Sequence, residues 1–204
     1  MRRPLLSLCL VALSLAIAAA PAAARWKGAT STAPGRYRDW GGEIDQLEIV
    51  RSFKLADYTT LTAEPLDTRD TPLPDKNDNT FEPVQAVLAE PTKPLLDGIA
   101  GGLGDRLRLA AGPARGERTL VLRGKVTKMD PGSQAARYWV SFGAGAARVE
   151  ISGELVDAAT GDVLLRFRQE RRSGVGDLGG EYEELLNRSL AAIGADVAFV
   201  LKAF

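Results

Sequence analysis

The groups that could support catalysis in this chain are carboxylates, hydroxyls, amines and backbone amides. The 204 residues include no histidine and a single cysteine, Cys9, which lies in a segment that we expect to be removed. A serine–histidine–aspartate triad, thiol chemistry and a histidine zinc site are therefore excluded, and no catalytic residue is predicted. A pair of carboxylates, as in glycoside hydrolases, is the remaining enzymatic route.

Glu150 and Glu154 are the candidates for such a pair. They lie on the predicted polar face of one strand, where Arg166 and Arg168 of the next strand can neutralise them. Cross-strand pairs of opposite charge are typical of a solvated sheet face. The sequence therefore favours a protein that is not an enzyme, and no cofactor is predicted.

Basic residues on the same strands could instead form a surface for acidic lipid or nucleic acid. They are Arg123, Lys125, Arg166, Arg168, Arg171 and Arg172. The glutamates between them favour a neutralised face. The chain has 26 basic and 26 acidic residues and lacks the basic excess of nucleic-acid binders, so no nucleic-acid partner is predicted.

Two motifs resemble ligand-binding loops but lack parts that such loops need. Residues 174–179 match G-x-G-x-x-G between a predicted strand and a predicted helix. No strand follows that helix, and Asp177 would repel a pyrophosphate at its start. Residues 75–79 place oxygen atoms as a calcium loop does, but Thr80 replaces its glycine and Ala86 its glutamate. Neither a nucleotide nor a metal ion is predicted.

A segment rich in arginine, aromatic residues and glycine is the candidate site for partner binding. It contains Arg137, Tyr138, Trp139, Phe142, Gly143 and Gly145. Exposed aromatic rings beside an arginine would suit an envelope protein or a glycan, whereas buried rings would belong to the core. A bent or bulged strand entry at residues 143–145 is the structural alternative. Phe199 lies off the apolar stripe of the last helix, which either a partner contact or fraying of the helix end would explain.

Hydrophobic periodicity predicts elements in the order β-α-β-β-β-α. The strands are expected at residues 46–53, 119–128, 146–157 and 162–171, and the helices near residues 92–107 and 180–204, with a further short helix at residues 82–90. Glycines in the first long helix, such as Gly98 and Gly102, would let it lie close to a sheet. The fold class is therefore α+β, a two-layer sandwich in which helices pack on one face of a largely antiparallel four-stranded sheet.

The hairpin made by the last two strands is the best-defined element. Matching their apolar faces pairs Leu155 with Leu165, Gly153 with Phe167, and Glu154 with Arg166. Residues 159–161 then form a three-residue loop, and Gly161 occupies the position that favours a left-handed backbone.

Residues 1–24 have the pattern of a secretory signal peptide. A basic start precedes an apolar run, and Ala22 and Ala24 occupy the small positions before a cleavage site at Arg25. The run is shorter than the roughly 20 residues of a membrane-spanning helix. Cys9 stands near its beginning, which argues against a lipoprotein. We expect a periplasmic or secreted protein with no transmembrane segment after cleavage.

The expected organisation is a cleaved signal peptide at residues 1–24, a flexible lead-in at residues 25–42 and a single α/β domain at residues 43–204. The domain has no cysteine, so no disulfide can hold it together. Burial of apolar side chains must stabilise it instead.

Several short stretches are characteristic of one bacterial family. They are Asp-Pro-Gly-Ser at residues 130–133, Arg137, Phe-Gly-Ala-Gly at residues 142–145, and Leu-Val-Asp-Ala-Ala-Thr-Gly at residues 155–161. With them the chain resembles the domain-of-unknown-function family 4410 of Gram-negative envelope proteins, over residues 44–204. The resemblance implies a periplasmic or outer-membrane-associated α/β domain with no established activity. Many relatives carry a lipobox, which this chain lacks.

These features favour a non-catalytic envelope protein that acts as a binding or accessory module, with an unknown envelope protein or glycan as partner. Two alternatives stay open. One is a subunit of an envelope secretion or transport assembly, with residues 143–145 as the contact. The other is a carboxylate-dependent hydrolase of envelope polymer, which two acids converging in one pocket would favour.

Overall fold

The fold is a mixed β-sheet with helices packed against it. The structure is a computed structural model, and it describes residues 26–27, 30–111, 116–132, 146–172 and 181–204. The strands are β1 (Trp26–Lys27), β2 (Gly35–Trp40), β3 (Ile44–Ile49), β4 (Thr60–Ala63), β5 (Arg108–Ala111), β6 (Thr119–Asp130), β7 (Arg148–Asp157) and β8 (Val163–Arg172). The helices are α1 (Phe81–Ala89), α2 (Thr92–Leu103) and α3 (Tyr182–Leu201), with 3-10 turns at Leu55–Asp57 and Gly104–Arg106.

The strand order across the sheet is β1-β2-β3-β8-β7-β6-β4-β5. β4 runs parallel to β5 and to β6, and β1 runs parallel to β2, while the other neighbours are antiparallel. The predicted sheet of four largely antiparallel strands is therefore wrong, as is the order β-α-β-β-β-α. Among the described residues, the sheet also contains β1, β2, β4 and β5, which the sequence does not predict. The α+β class is confirmed.

Residues 35–40 correct the expected flexible lead-in, because they form β2. Tyr37 and Trp40 in this strand are fully buried, and the indole of Trp40 donates a hydrogen bond of 3.1 Å to the Ser31 carbonyl. Asp39 between them has a left-handed backbone with φ of 48°. This residue breaks the alternation of the strand, so the buried positions are three residues apart rather than two or four.

β4 lies in a part of the chain for which the sequence predicts neither a strand nor a helix. All four of its residues are buried, including Thr60 and Thr62, because β5 and β6 flank it on both sides. A short strand buried at every position has no alternating pattern to reveal it. Beyond β4, Asp67 still bridges to Lys125 of β6.

The β7–β8 hairpin has the predicted register. The pairs Leu155 with Leu165, Gly153 with Phe167, and Glu154 with Arg166 are all present, and Gly161 has the expected positive φ, 77°. A Cβ on Gly153 would lie 2.6 Å from the Phe167 ring, which covers the glycine from the neighbouring strand.

α3 joins the sheet to the other helices. It contacts β3, β7 and β8 on one side and α1 and α2 on the other. Its predicted stripe is buried, at Tyr182, Leu185, Leu186, Leu190, Ile193, Val197, Val200 and Leu201. Gly98 and Gly102 of α2 do permit a close approach, but to α3 and not to the sheet, since added Cβ atoms would meet Ala191 and Ala198.

Candidate functional site

The segment that the sequence favours as a binding site lies between β6 and β7. Its candidate residues, Arg137, Tyr138, Trp139, Phe142, Gly143 and Gly145, lie outside the described residues. Residues 174–179, the glycine-rich motif, also lie outside them. Among the described residues, the side of the sheet away from α3 is the next candidate surface.

The register of five strands aligns charged residues in a row that crosses the sheet on the side away from α3. Row A consists of Arg36, Glu48, Arg166, Glu154 and Arg123, which are successive cross-strand partners on β2, β3, β8, β7 and β6. Their charges alternate. Glu48 contacts Arg36 at 3.1 Å and Arg166 at 3.4 Å, and Arg166 contacts Glu154 at 3.5 Å. Row A is close to neutral because each glutamate lies between two arginines.

A second row lies two residues along each strand and differs in character. Row B consists of Arg38, Gln46, Arg168, Ser152 and Lys125 on the same five strands. Cations alternate here with uncharged polar residues. Together the rows, which we call the charged face, contain six cations and two carboxylates. Two further carboxylates beside the rows contact their cations, Glu64 at Arg123 and Glu150 at Arg168. The six cations therefore exceed the four carboxylates that contact them.

Glu150 is the acid next to row B, and it is held by two neighbours. Arg168 donates to its carboxylate through Nε at 2.8 Å, and Nη2 lies 2.7 Å from the same oxygen. The Thr127 hydroxyl donates to the other oxygen. Since Glu154 is paired with Arg166, each acid of the hypothetical catalytic pair has its own arginine, as the sequence predicts. Glu150 is buried, however, so its position is not the solvated one that the sequence favours.

A shallow depression of about 270 Å³ lies at the centre of the charged face. Its lining is Arg36, Gln46, Glu48, Ser152, Arg166, Phe167 and Arg168. About half of the Arg36, Arg166 and Arg168 side chains is exposed. A guanidinium has five N–H donors in a planar fork, so these side chains can also donate to a ligand that rests in the depression.

Arg171 is not part of this surface, so it does not belong to the basic face that the sequence left as an alternative. Its Nε donates to the Asp196 carboxylate of α3 at 2.6 Å, and Nη2 contacts Glu43 at 2.9 Å. Gln169 donates a further hydrogen bond of 2.8 Å to Asp196. Burial raises the pKa of the Asp196 carboxyl, and the hydrogen bonds from Arg171 and Gln169 oppose that rise. The buried Asp196 carboxylate therefore links α3 to β8.

The two remaining sequence candidates have structural roles. Asp75 accepts hydrogen bonds from Asn77, and Asp78 accepts two from Thr80, so these carboxylates serve local turns before α1. Phe199 is 39% exposed and packs edge-on against Trp40, with 5.9 Å between ring centres. Phe199 therefore contacts β2 and is also accessible to solvent.

The described part of the chain has neither a cluster suited to a metal ion nor a membrane-spanning helix. No group of three or more acidic, histidine or cysteine side chains there could hold a metal ion. No helix among those residues combines the length and apolar character needed to cross a membrane.

Three solved structures are similar to this chain at low identity. The PelC dodecamer from Paraburkholderia phytofirmans is 13% identical with a TM-score of 0.41, over 74% of this chain and 96% of that one. A DUF330 protein from Xanthomonas campestris is 14% identical, with a TM-score of 0.40, over 74% and 88%. A hypothetical protein from Chlamydia trachomatis is 10% identical, with a TM-score of 0.43, over 72% and 99%. Likeness at this level supports no conclusion about function or assembly.

The comparison with protein families is more informative. No curated protein matches the chain. The family model described as "Domain of unknown function (DUF4410)" matches residues 99–176. This match confirms the predicted resemblance to DUF4410 for the part of the chain that runs from the end of α2 to just beyond β8.

Proposed function

We propose that this chain is a secreted or periplasmic, non-catalytic binding module that holds its partner on the charged face. One observation carries the proposal: two aligned rows on one side of the sheet expose six cations, whereas four carboxylates, those of Glu48, Glu64, Glu150 and Glu154, contact them. A flat, polar and half-exposed surface suits recognition of an extended partner better than enclosure of a small substrate.

The pairing of the acids supports binding over hydrolysis. A retaining or inverting hydrolase needs two carboxyl groups that both face the scissile bond. Glu150 is paired with Arg168 and Glu154 with Arg166, so each acid is already engaged by its own arginine. We therefore expect no cleavage of envelope polymers, measured as newly formed reducing ends.

Site-specific photo-crosslinking in living cells tests the binding surface. A photoreactive amino acid in place of Lys128, which flanks the charged face on β6, should capture the partner. The same amino acid in place of Arg188 on α3 is the matched control, because both native side chains are partly exposed, at 39% and 47%. Protein and sugar analysis of the product would identify the partner class.

Two results would contradict the proposed function. Capture from Arg188 but not from Lys128 would place the partner on the helices. If the protein cleaved an envelope polymer, and if Glu150→Gln and Glu154→Gln each abolished that cleavage, the protein would be a hydrolase and not a binding module.

Export is the second part of the proposal, and its support is the pattern of residues 1–24. Mass spectrometry of the protein recovered from the periplasm or medium should find Arg25 as the first residue. Recovery only in the cytoplasm, with residues 1–24 attached, would overturn it.

A further inference from the structure

We infer that row B binds a linear acidic polysaccharide whose carboxylates recur on alternate sugar units. The inference rests on the proposed function, since it names the class of ligand for the charged face. It follows from the order of residues along row B, their spacing, the charges beside them and the apolar contacts that the face lacks.

The order of row B is cation, polar, cation, polar, cation. Arg38, Arg168 and Lys125 lie on β2, β8 and β6, with one strand between each pair. Neighbouring strands are about 4.8 Å apart, so successive cations recur roughly every 10 Å across the sheet. One sugar ring extends a chain by about one strand spacing, so charges on alternate rings match this repeat.

Uncharged partners for the neutral sugar units lie between the cations. Gln46 separates Arg38 from Arg168, and Ser152 separates Arg168 from Lys125. An amide and a hydroxyl can donate to and accept from sugar hydroxyl groups. Gln46 and Ser152 both line the central depression, where a sugar ring can rest against them.

Carboxylates on both sides of row B confine the ligand to a single line. Glu48 and Glu154 of row A lie on one side, and Glu150, which binds Arg168, lies on the other. Like charges repel an anion at short range. A broad polyanion would meet these carboxylates, whereas a single chain along row B lies between them. The glutamates of row A also orient Arg36 and Arg166.

The composition of the charged face favours a glycan over a protein or a lipid. Protein interfaces rely on buried aromatic or aliphatic anchors, and proteins that bind a membrane surface insert apolar side chains into it. The large apolar side chains that are exposed in the described ranges are Leu73 and Phe199, and neither belongs to row A or row B. The face offers charge and hydrogen bonds, which are what an acidic, hydroxylated chain requires.

Hyaluronan oligosaccharides are suitable probes because their carboxylates occur on alternate sugars, and dextran is the neutral control. We expect calorimetry to detect hyaluronan binding that weakens with added salt. Arg38→Gln together with Lys125→Gln should lower the affinity at least about tenfold. Glu48→Gln, which removes a repelling acid, should raise the affinity. Arg188→Gln on α3 makes the same kind of charge change away from the face and should leave the affinity unchanged.

Four outcomes would overturn the inference. If dextran bound as tightly as hyaluronan, the ligand would not need to be acidic. If Arg188→Gln lowered the affinity as much as the double variant at Arg38 and Lys125, the binding site would not be row B. If the protein bound poly-glutamate or phosphatidylglycerol vesicles but not hyaluronan, the ligand of the charged face would be an acidic peptide or a lipid. Absence of hyaluronan binding, alongside a Lys128 crosslink to a protein, would refute the glycan while the binding module stands. Capture from Arg188 alone would refute both.

Discussion

Gly98 of α2 and Ala191 of α3 are in direct backbone contact: a Cβ on Gly98 would lie 1.9 Å from the Ala191 carbonyl oxygen. The reciprocal contact involves Gly194, whose added Cβ would lie 2.1 Å from the Leu95 carbonyl oxygen. The two helices therefore cross with no side chain between them at this point. Backbone cannot yield as the end of a flexible side chain can, so even a methyl group must push the helices apart.

Gly98→Ala and Gly194→Ala should each destabilise the protein by about 3 kcal/mol or more, since overpacking of rigid contacts is costly. Urea unfolding followed by circular dichroism measures the change. Gly101→Ala is the matched control on the same helix, because nothing lies within 4 Å of its added Cβ. It should be neutral or stabilising by up to roughly 1 kcal/mol. Equal effects at Gly98 and Gly101 would contradict the close crossing.

The pair Arg171 and Asp196 predicts a pH-dependent loss of stability. Arg171→Gln would leave the Asp196 carboxyl buried without its guanidinium and should cost about 3 kcal/mol at pH 7. Burial already raises the pKa of Asp196, and Arg171→Gln would raise that pKa further. A carboxyl with a raised folded-state pKa stabilises the fold when protonated, and this contribution is lost as pH rises through that pKa. The cost should therefore be smaller at pH 5 than at pH 7.

Chemical denaturation at the two pH values checks this expectation. Arg188→Gln, on the outer side of the same helix, should show only a small change at both. An Arg171→Gln penalty that is equal at pH 5 and pH 7 would show that Asp196 does not take up the proton.

The contact between Tyr58 and Asp157 predicts the opposite dependence. Burial opposes ionisation of Asp157, but hydrogen bonds from the Tyr58 hydroxyl at 2.8 Å and from the amides of Ala159 and Thr160 outweigh it and lower its pKa. Its stabilisation is present above the unfolded-state pKa of about 3.9 and is lost as pH falls through the folded-state pKa. Asp157→Asn should cost about 1 kcal/mol near neutrality and less below about pH 4.

Thermal melts from pH 3 to pH 7 would show the difference between Asp157→Asn and the native chain. Tyr58→Phe is the companion change, and it should remove part of the same stabilisation. A difference in melting temperature between Asp157→Asn and the native chain that widens as the pH falls would contradict the lowered pKa of Asp157.

Gly161 predicts a backbone effect that is free of side-chain clashes. Nothing lies within 4 Å of an added Cβ there, yet its φ is 77°. Gly161→Ala should therefore cost about 1 kcal/mol through the left-handed conformation alone. Urea unfolding should show Gly161→Asn to be milder, because asparagine tolerates this region better. Equal losses for alanine and asparagine would point to another cause.

The β7–β8 hairpin shows what could be predicted from the sequence. Its apolar alternation and a glycine at the turn specify the same register, so the pairs were predictable without a structure. The terminal helix was predictable for a similar reason, because its stripe persists for 20 residues.

β2 and β4 show why the rest was not predictable. Asp39 reverses the alternation in β2, and β4 has four residues that are all buried. Missing β2 also hid the charged face, because Arg36 and Arg38 then belonged to a lead-in. The usable signal was a basic residue at every second position, which recurs at residues 36 and 38, 123 and 125, and 166 and 168. The predicted site at residues 137–145 lies outside the described residues and stays a prediction.

The pairing of β3 with β8 also governs the order in which the sheet can be completed. Gln46 pairs with Arg168, so β2 and β3 are synthesised long before the strand that they join. The N-terminal hairpin has two strands and is at best marginally stable alone. Its pairing with β8 should therefore supply most of the stability of β2 and β3. Contacts this distant along the chain are slow to form, so the last step of folding should be the closure of the first part of the chain onto the last.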